Sequence, residues 1–405
     1  MEKKKIFHGW FIALACMLVL GTAVGIVNNC FGLFIVPACE EMGFSRQAMG
    51  TTQTMFALGY MIVALFSGMI FKENRLKKLM ILGAVVMCGS YALFAVAKSL
   101  ALFYIIGLVC CMGKAMVDLV PISLIISNWF NEKRGTAIGL VCAGSGVFGM
   151  LFNLLGGQLV EFIGWRSTVL VFTGIMCLVI LPMVFFVIKI RPEEMGLEPL
   201  GKPVADTGTV SDDGMTLKEA MRTKAFYLLV LDIIIAGMGV NAIATTSTPF
   251  YTDEFQNGVI AANLGAAFMA VLAVGKFSLG GMYDKFGNLK ATLISRLLLI
   301  ISLLALAGGK NPVFIAVYLL CTGFACATSS TAIPILARNT FGSKSAAAII
   351  GVFSASQSLG AMVAPSGCGF VCDKLGSYAP SYVILAAAVL VMLLPSMIVL
   401  KNGKK

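Results

Sequence analysis

The chain has 405 residues, of which 59% are hydrophobic and only 12% charged, with a mean hydropathy of +0.94. A balance this apolar excludes a soluble globular domain and points to a polytopic membrane protein. The net charge of +11 does not imply nucleic-acid binding, because the basic residues are spread over short turns between apolar runs and form no single soluble face.

The apolar runs are each long enough to cross about 30 Å of hydrocarbon at about 1.5 Å per residue. They predict twelve helices: α1 (10–36), α2 (47–71), α3 (79–98), α4 (101–127), α5 (135–160), α6 (167–188), α7 (225–251), α8 (259–283), α9 (290–309), α10 (312–337), α11 (345–371) and α12 (379–400). The first follows Lys3, Lys4 and Lys5. Its length, the lack of a clear cleavage pattern and the spans after it make it a membrane helix and not a secretory leader.

An even number of spans puts both termini on one side. Alternate loops then gather Lys3 to Lys5, Arg75, Lys77, Lys78, Lys133, Arg134, Lys285, Lys290, Arg338, Lys344 and the final lysines on one face, against Arg46, Lys98, Arg166, Lys310 and Lys374 on the other. The crowded face is cytoplasmic, which implies a multi-pass protein of the cell (inner) membrane with both termini inside. The acidic residues Glu40, Glu41, Asp253 and Glu254 fall on the external side.

Between α6 and α7 the composition turns polar, with Pro192, Pro199, Pro203 and several glycines. The chain therefore divides into an N-terminal six-helix bundle (1–188), a cytoplasmic linker (189–224) and a C-terminal six-helix bundle (225–405). Thr216-Leu-Lys-Glu219 has the spacing of a capping box, so a short helix is predicted before α7. The division is supported by a repeat. Gly68-x3-Lys72-x2-Arg75 follows α2 and Gly280-x3-Asp284-x2-Gly287 follows α8; Gly157-x3-Glu161-x2-Gly164 follows α5 and Gly369-x3-Asp373-x2-Gly376 follows α11. The interval from first copy to second is identical in the two pairs, so one offset relates the halves. Two six-helix halves, each with a nested three-helix repeat, are a transporter pattern.

Five ionisable residues fall within the spans: Lys114, Asp118, Asp232, Lys276 and Arg296. Such charges require a partner, an aqueous cavity or a ligand. Lys114 and Asp118 share one face of α4 at i, i+4, either as a structural pair or as a gating or ion-coupling pair. Asp232 and Lys276 stand about two turns from the cytoplasmic ends of α7 and α8. They read as a structural pair or, for Lys276, as the cation that meets a substrate carboxylate, and the two are compatible if the pair breaks on binding. Arg296 is placed near the cytoplasmic face of α9, snorkelling to water and outside the site. Asn29 and Gln357 are candidate polar ligands; interhelical hydrogen bonding is the alternative for each. Neither metal nor cofactor is expected, since the cysteines lack ligand or redox spacing. Gly144-Ser-Gly146-Val-Phe-Gly149 has the spacing of a dinucleotide fingerprint but lies inside an apolar span, where it reads as close helix packing. No nucleophile or metal constellation suggests an enzyme, and a few charges near the midplane do not make the continuous polar pore of a channel.

The stretch Gly280-Gly-Met-Tyr-Asp284-Lys-Phe-Gly287-Asn-Leu-Lys290 resembles the signature loop G-x-x-x-D-x-x-G-x-x-[RK] of the major facilitator superfamily. The copy after α2 is degenerate, with Lys72 and Arg75 at the aspartate and glycine positions. Asn128-Trp-Phe-Asn-Glu-Lys-Arg-Gly135-Thr-Ala-Ile-Gly139, Arg191-Pro-Glu-Glu-Met-Gly196-Leu-Glu-Pro199 and His8-Gly-Trp10 are similar to the monocarboxylate and oxalate/formate porter branch. The resemblance implies an all-α fold of two pseudo-symmetric bundles around a central cavity, working by alternating access as a monomer. It implies that Lys276 occupies the position of a substrate-binding cation on α8. It also makes Asp253 a candidate for the coupling proton, with Asp118 and Asp232 as rivals. The second cation that oxalate exchangers carry on α11 has no counterpart here. The expected function is therefore secondary transport of a small organic monocarboxylate, by proton symport or alternatively by organic-anion exchange.

Overall fold

The computed structural model describes residues 7–44, 46–201, 214–255 and 258–402, and these are almost wholly helical. Ten runs are long and apolar enough to cross a membrane. Two of them exceed one crossing: Arg134–Val187 has 54 residues, and the run ending at Ala307 belongs to a 50-residue helix from Gly258. Each is broken once by a glycine in left-handed backbone space, Gly164 at φ 78° and Gly287 at φ 74°. Split there, they yield α5 and α6 and α8 and α9, and the count of spans becomes twelve. The other spans are α1 Gly9–Ile35, α2 Ala48–Leu65, α3 Asn74–Val96, α4 Leu100–Trp129, α7 Lys224–Ser247, α10 Pro312–Phe341, α11 Ala346–Cys372 and α12 Ala379–Val399.

The repeated motif has a backbone cause. In three of its four copies the last glycine, Gly164, Gly287 or Gly376, takes positive φ and turns the chain from one helix into the next, a conformation that a side chain disfavours. In the degenerate copy Arg75 cannot do this. The break moves upstream to Lys72, which is extended at φ −83°, ψ 138° and precedes a helix starting at Glu73. The turn predicted between α8 and α9, residues 284–289, is helical apart from the hinge at Gly287.

The chain forms two compact units, residues 1–212 and 213–405, with six spans in each. In the first, α1 packs on α5 through glycines: a methyl group on Gly144 would lie 2.7 Å from the Met17 carbonyl oxygen. The dinucleotide-like glycines thus serve helix packing. In the second unit, α8 and α10 cross at Gly275 and Gly323, where a methyl group on Gly275 would overlap the Gly323 backbone. The same unit has a buried core that includes Phe250, Tyr251, Tyr318 and Tyr382.

Each described end of the linker is anchored on its own unit. The Leu200 amide donates to the Trp129 carbonyl oxygen at 2.9 Å and the Met215 amide to that of Phe341 at 2.8 Å. Trp129 and Phe341 are counterparts under the repeat offset. Each unit therefore holds the linker at the same repeat position, the C-terminal end of α4 or α10. The capping box at Thr216–Glu219 forms as predicted, opening the short helix Leu217–Ala220.

Candidate functional site

Helix α4, predicted as continuous, is broken at residues 116–118, between Ala115 and Leu119. Pro121 explains the break, because it has no amide hydrogen for the Val117 carbonyl and its ring clashes one turn back. Asp118 repairs the new helix start: its Oδ1 accepts the Leu119 amide at 2.8 Å. Its Oδ2 pairs with the Lys114 ammonium at 2.5 Å, and Lys114 lies 4.9 Å from the centre of the Tyr60 ring on α2. Both charges are buried. The i, i+4 pair therefore spans a helix break and caps it, instead of lying on one uninterrupted helical face.

The equivalent region of the second unit shows the same weakness. Helix α10 carries a π-helical turn at Thr328–Ala332, one turn before Pro334. A π turn in an α-helix often marks a functional site, and this one adjoins a buried ion pair. The Arg296 guanidinium on α9 reaches the Asp232 carboxylate on α7, with Nη2 2.7 Å from Oδ2 and Nε 3.3 Å from both oxygens. Arg296 is 3% exposed and Asp232 2%. The sequence reading of Arg296 as a snorkelling residue is thus corrected: a carboxylate at the same depth on α7 holds the arginine fork inside the unit. Tyr283 and Thr292 hydrogen-bond each other at 2.9 Å.

Beside the pair is a cavity of about 10 Å³, lined by Arg296 together with Gly237, Val240, Thr328, Ser329, Ile333 and Gln357 among others. Gln357, a candidate ligand from the sequence, therefore faces the same space as Arg296. Lys276 is buried on α8 next to the Gly275–Gly323 crossing. Asp232, proposed from sequence as the partner of Lys276, has Arg296 on both carboxylate oxygens.

The other candidates are dispersed. Asn29 ends a π-helical turn of α1, Gly25–Asn29, and donates from Nδ2 to the Ser145 carbonyl oxygen on α5 at 3.1 Å, a helix-to-helix contact. Asp253 belongs to the helix Lys224–Phe255, and its side chain lies outside the described part of the structure. Gly280 is buried and Asp284, Gly287 and Lys290 are exposed at the α8–α9 hinge. Near the end of α1, Glu41 accepts from Trp165 Nε1 at 2.6 Å and Arg166 Nε at 2.9 Å. These hydrogen bonds, that of Arg166 foremost, hold its carboxyl below the usual range. Among the described residues no cluster of His, Cys, Asp and Glu suits a metal ion.

Sequence reasoning missed Arg296 and Thr328. Signals existed for both: Asp232 and Arg296 lie about two turns from the same membrane face, and Pro334 forecasts a distorted backbone one turn earlier.

Two six-helix units related by a repeat, each with a distorted helix at the same repeat position and a buried ion pair, define a membrane transporter architecture. The chain belongs to the Major Facilitator Superfamily, whose family profile matches residues 14–365, with a second match over 233–404. It is 22% identical over 281 residues to the uncharacterized MFS-type transporter YcxA of Bacillus subtilis, covering 69% of this chain and 66% of that protein. It is 24% identical to monocarboxylate transporter 11 of Mus musculus over 94% of this chain and 85% of that one. Its fold matches the crystal structure of the human organic anion transporter MFSD10 (TETRAN) with a TM-score of 0.71 at 14% identity, over 96% and 98% of the two chains. The protein is accordingly a multi-pass membrane transporter for small molecules and not an enzyme.

Proposed function

We propose that the protein is a secondary active transporter of a small organic monocarboxylate, working by alternating access in symport with a proton. The observation that carries this reading is Lys276, a buried cation on α8 beside the close crossing of Gly275 with Gly323 on α10. A lysine binds as a compact point charge, which suits one carboxylate. The resemblance of the motifs to monocarboxylate porters, and the similarity to monocarboxylate transporter 11, support the substrate class.

Of the coupling candidates, Asp232 and Asp118 are each already engaged by a cation at hydrogen-bond distance. That argues for Asp253 as the proton carrier. The proposal places both termini in the cytoplasm, as the loop charges require, and has the monomer as the working unit. It is tested by thermal-shift titration of the purified chain with mono- and dicarboxylates, in wild type and Lys276→Ala. Monocarboxylates should stabilise the wild type and lose that effect in the variant. Equal stabilisation of both would remove Lys276 from the site.

A further inference from the structure

The transport reading leaves a second buried cation unused. Arg296 spends Nε and Nη2 on Asp232, and its Nη1 is buried with no hydrogen-bond partner among the described residues. Such an atom is costly to leave unmatched, so its surroundings are informative. Arg296 lines the cavity of about 10 Å³, and the polar groups lining it besides Arg296 are Thr328, Ser329 and Gln357. The hydroxyls of Thr328 and Ser329 already donate to the carbonyl oxygens of Ala325 and Cys326, at 2.7 and 2.8 Å. Their oxygens are left as acceptors.

Arg296 Nη1 as an open donor, the two hydroxyl oxygens as acceptors and the Gln357 amide, which can do either, surround a space of this size and fit a single oxygen atom that both accepts and donates. A carboxylate oxygen only accepts, and Asp232 already neutralises the arginine, so the cavity has no charge to offer an anion. A hydroxyl meets both demands. The π turn of α10 contributes to the fit, since Thr328 and Ser329 both lie within it.

We propose that this cavity is a specificity pocket for one uncharged hydroxyl of the transported solute, with Arg296 Nη1 as the donor to it. The proposal rests on the carboxylate-transport reading, in which Lys276 holds the other end of the solute. The test is thermal-shift titration of the purified full chain with butyrate and with 2-, 3- and 4-hydroxybutyrate. One hydroxylated isomer should bind the wild type about tenfold more tightly than butyrate, the effect of one well-made hydrogen bond. That ratio should fall to about one in Ser329→Ala, and also in Arg296→Lys, which keeps a cation for Asp232 but loses the planar fork. If Arg296→Lys fails to fold, Ser329→Ala alone decides.

Equal binding of all four acids to the wild type would overturn the pocket and assign the cavity to a bound water, as would a preference that survives both substitutions. The butyrate arm reports separately on the transport reading. Butyrate bound with a flat hydroxyl ratio keeps that reading and removes the pocket, whereas no binding of any of the four overturns both.

Discussion

The two units solve the problem of buried charge in different ways, although the repeat places their distorted helices at equivalent positions. In the first unit both charges come from α4, and Asp118 serves Lys114 and the broken helix end together. The pair is local, and its chain segment would bring the partners together without help from other helices. In the second unit the pair joins α7 to α9 across 64 residues of sequence, leaves one arginine nitrogen unmatched, and sits in a unit that carries Lys276 as a further cation. The repeat position of Lys276 in the first unit is Ala64, and that of Arg296 is Ala84. Lys276 and Arg296 therefore have no charged counterpart in the N-terminal unit.

This contrast is open to direct attack. The largest effect should come from Arg296→Ala, which strands Asp232 in a buried site and should cost about 3–5 kcal/mol in thermal unfolding of the detergent-solubilised chain. The double substitution Asp232→Asn with Arg296→Gln should recover a large part of that loss, since removing both partners leaves no uncompensated charge. A loss under about 1 kcal/mol in the single variant would mean that water reaches the pair.

Asp118→Ala should cost less, about 2 kcal/mol, combining a lost cap with a lost partner for Lys114. Asp118→Asn keeps a good capping residue and should retain part of the stability. Identical losses in the two variants would show that the cap contributes nothing and that the pair is purely electrostatic.

The smallest effect concerns the half-exposed contact of Glu41 with Arg166 and Trp165, worth under about 1 kcal/mol. The carboxyl is held below its ordinary value in the folded chain, chiefly by the hydrogen bond from Arg166. Its contribution is therefore complete above the unfolded value of about 4.3 and is lost as pH falls through the lower folded value. The stability gap between wild type and Glu41→Gln should be constant near neutral pH and close in acid. A gap that widens in acid would reverse the sign of this assignment. Asp253 is the counterpart of Glu41 under the repeat offset, so this measurement also shows what an acid at that position contributes when it is engaged by an arginine and a tryptophan.

Much of the fold was legible because its signals are local. Span length, loop charge and the Gly164 and Gly287 hinges can all be read from short windows, and the hinge glycines repeat because only backbone without a side chain turns easily there. The break in α4 was less visible, since hydropathy continues unchanged through Met116 and Val117 and only Pro121 betrays it. The site was harder still. Asp232 and Arg296 meet through the packing of α7 against α9, a tertiary fact that no sequence spacing encodes, and assigning Arg296 to the lipid edge followed from judging it one helix at a time. Gln357 was singled out for its polarity alone; its place beside Arg296 depends on how α11 lies against α7 at Gly237.

The most direct test of carboxylate transport centred on Lys276 is counterflow of a labelled monocarboxylate into liposomes containing only this protein. The wild type should show saturable, trans-stimulated uptake, Lys276→Ala should lose at least about thirtyfold in apparent affinity, as expected when a buried charge contact is removed, and Lys276→Arg should restore a good part of it. Linear uptake by the wild type, or equal counterflow by wild type and Lys276→Ala, would contradict it.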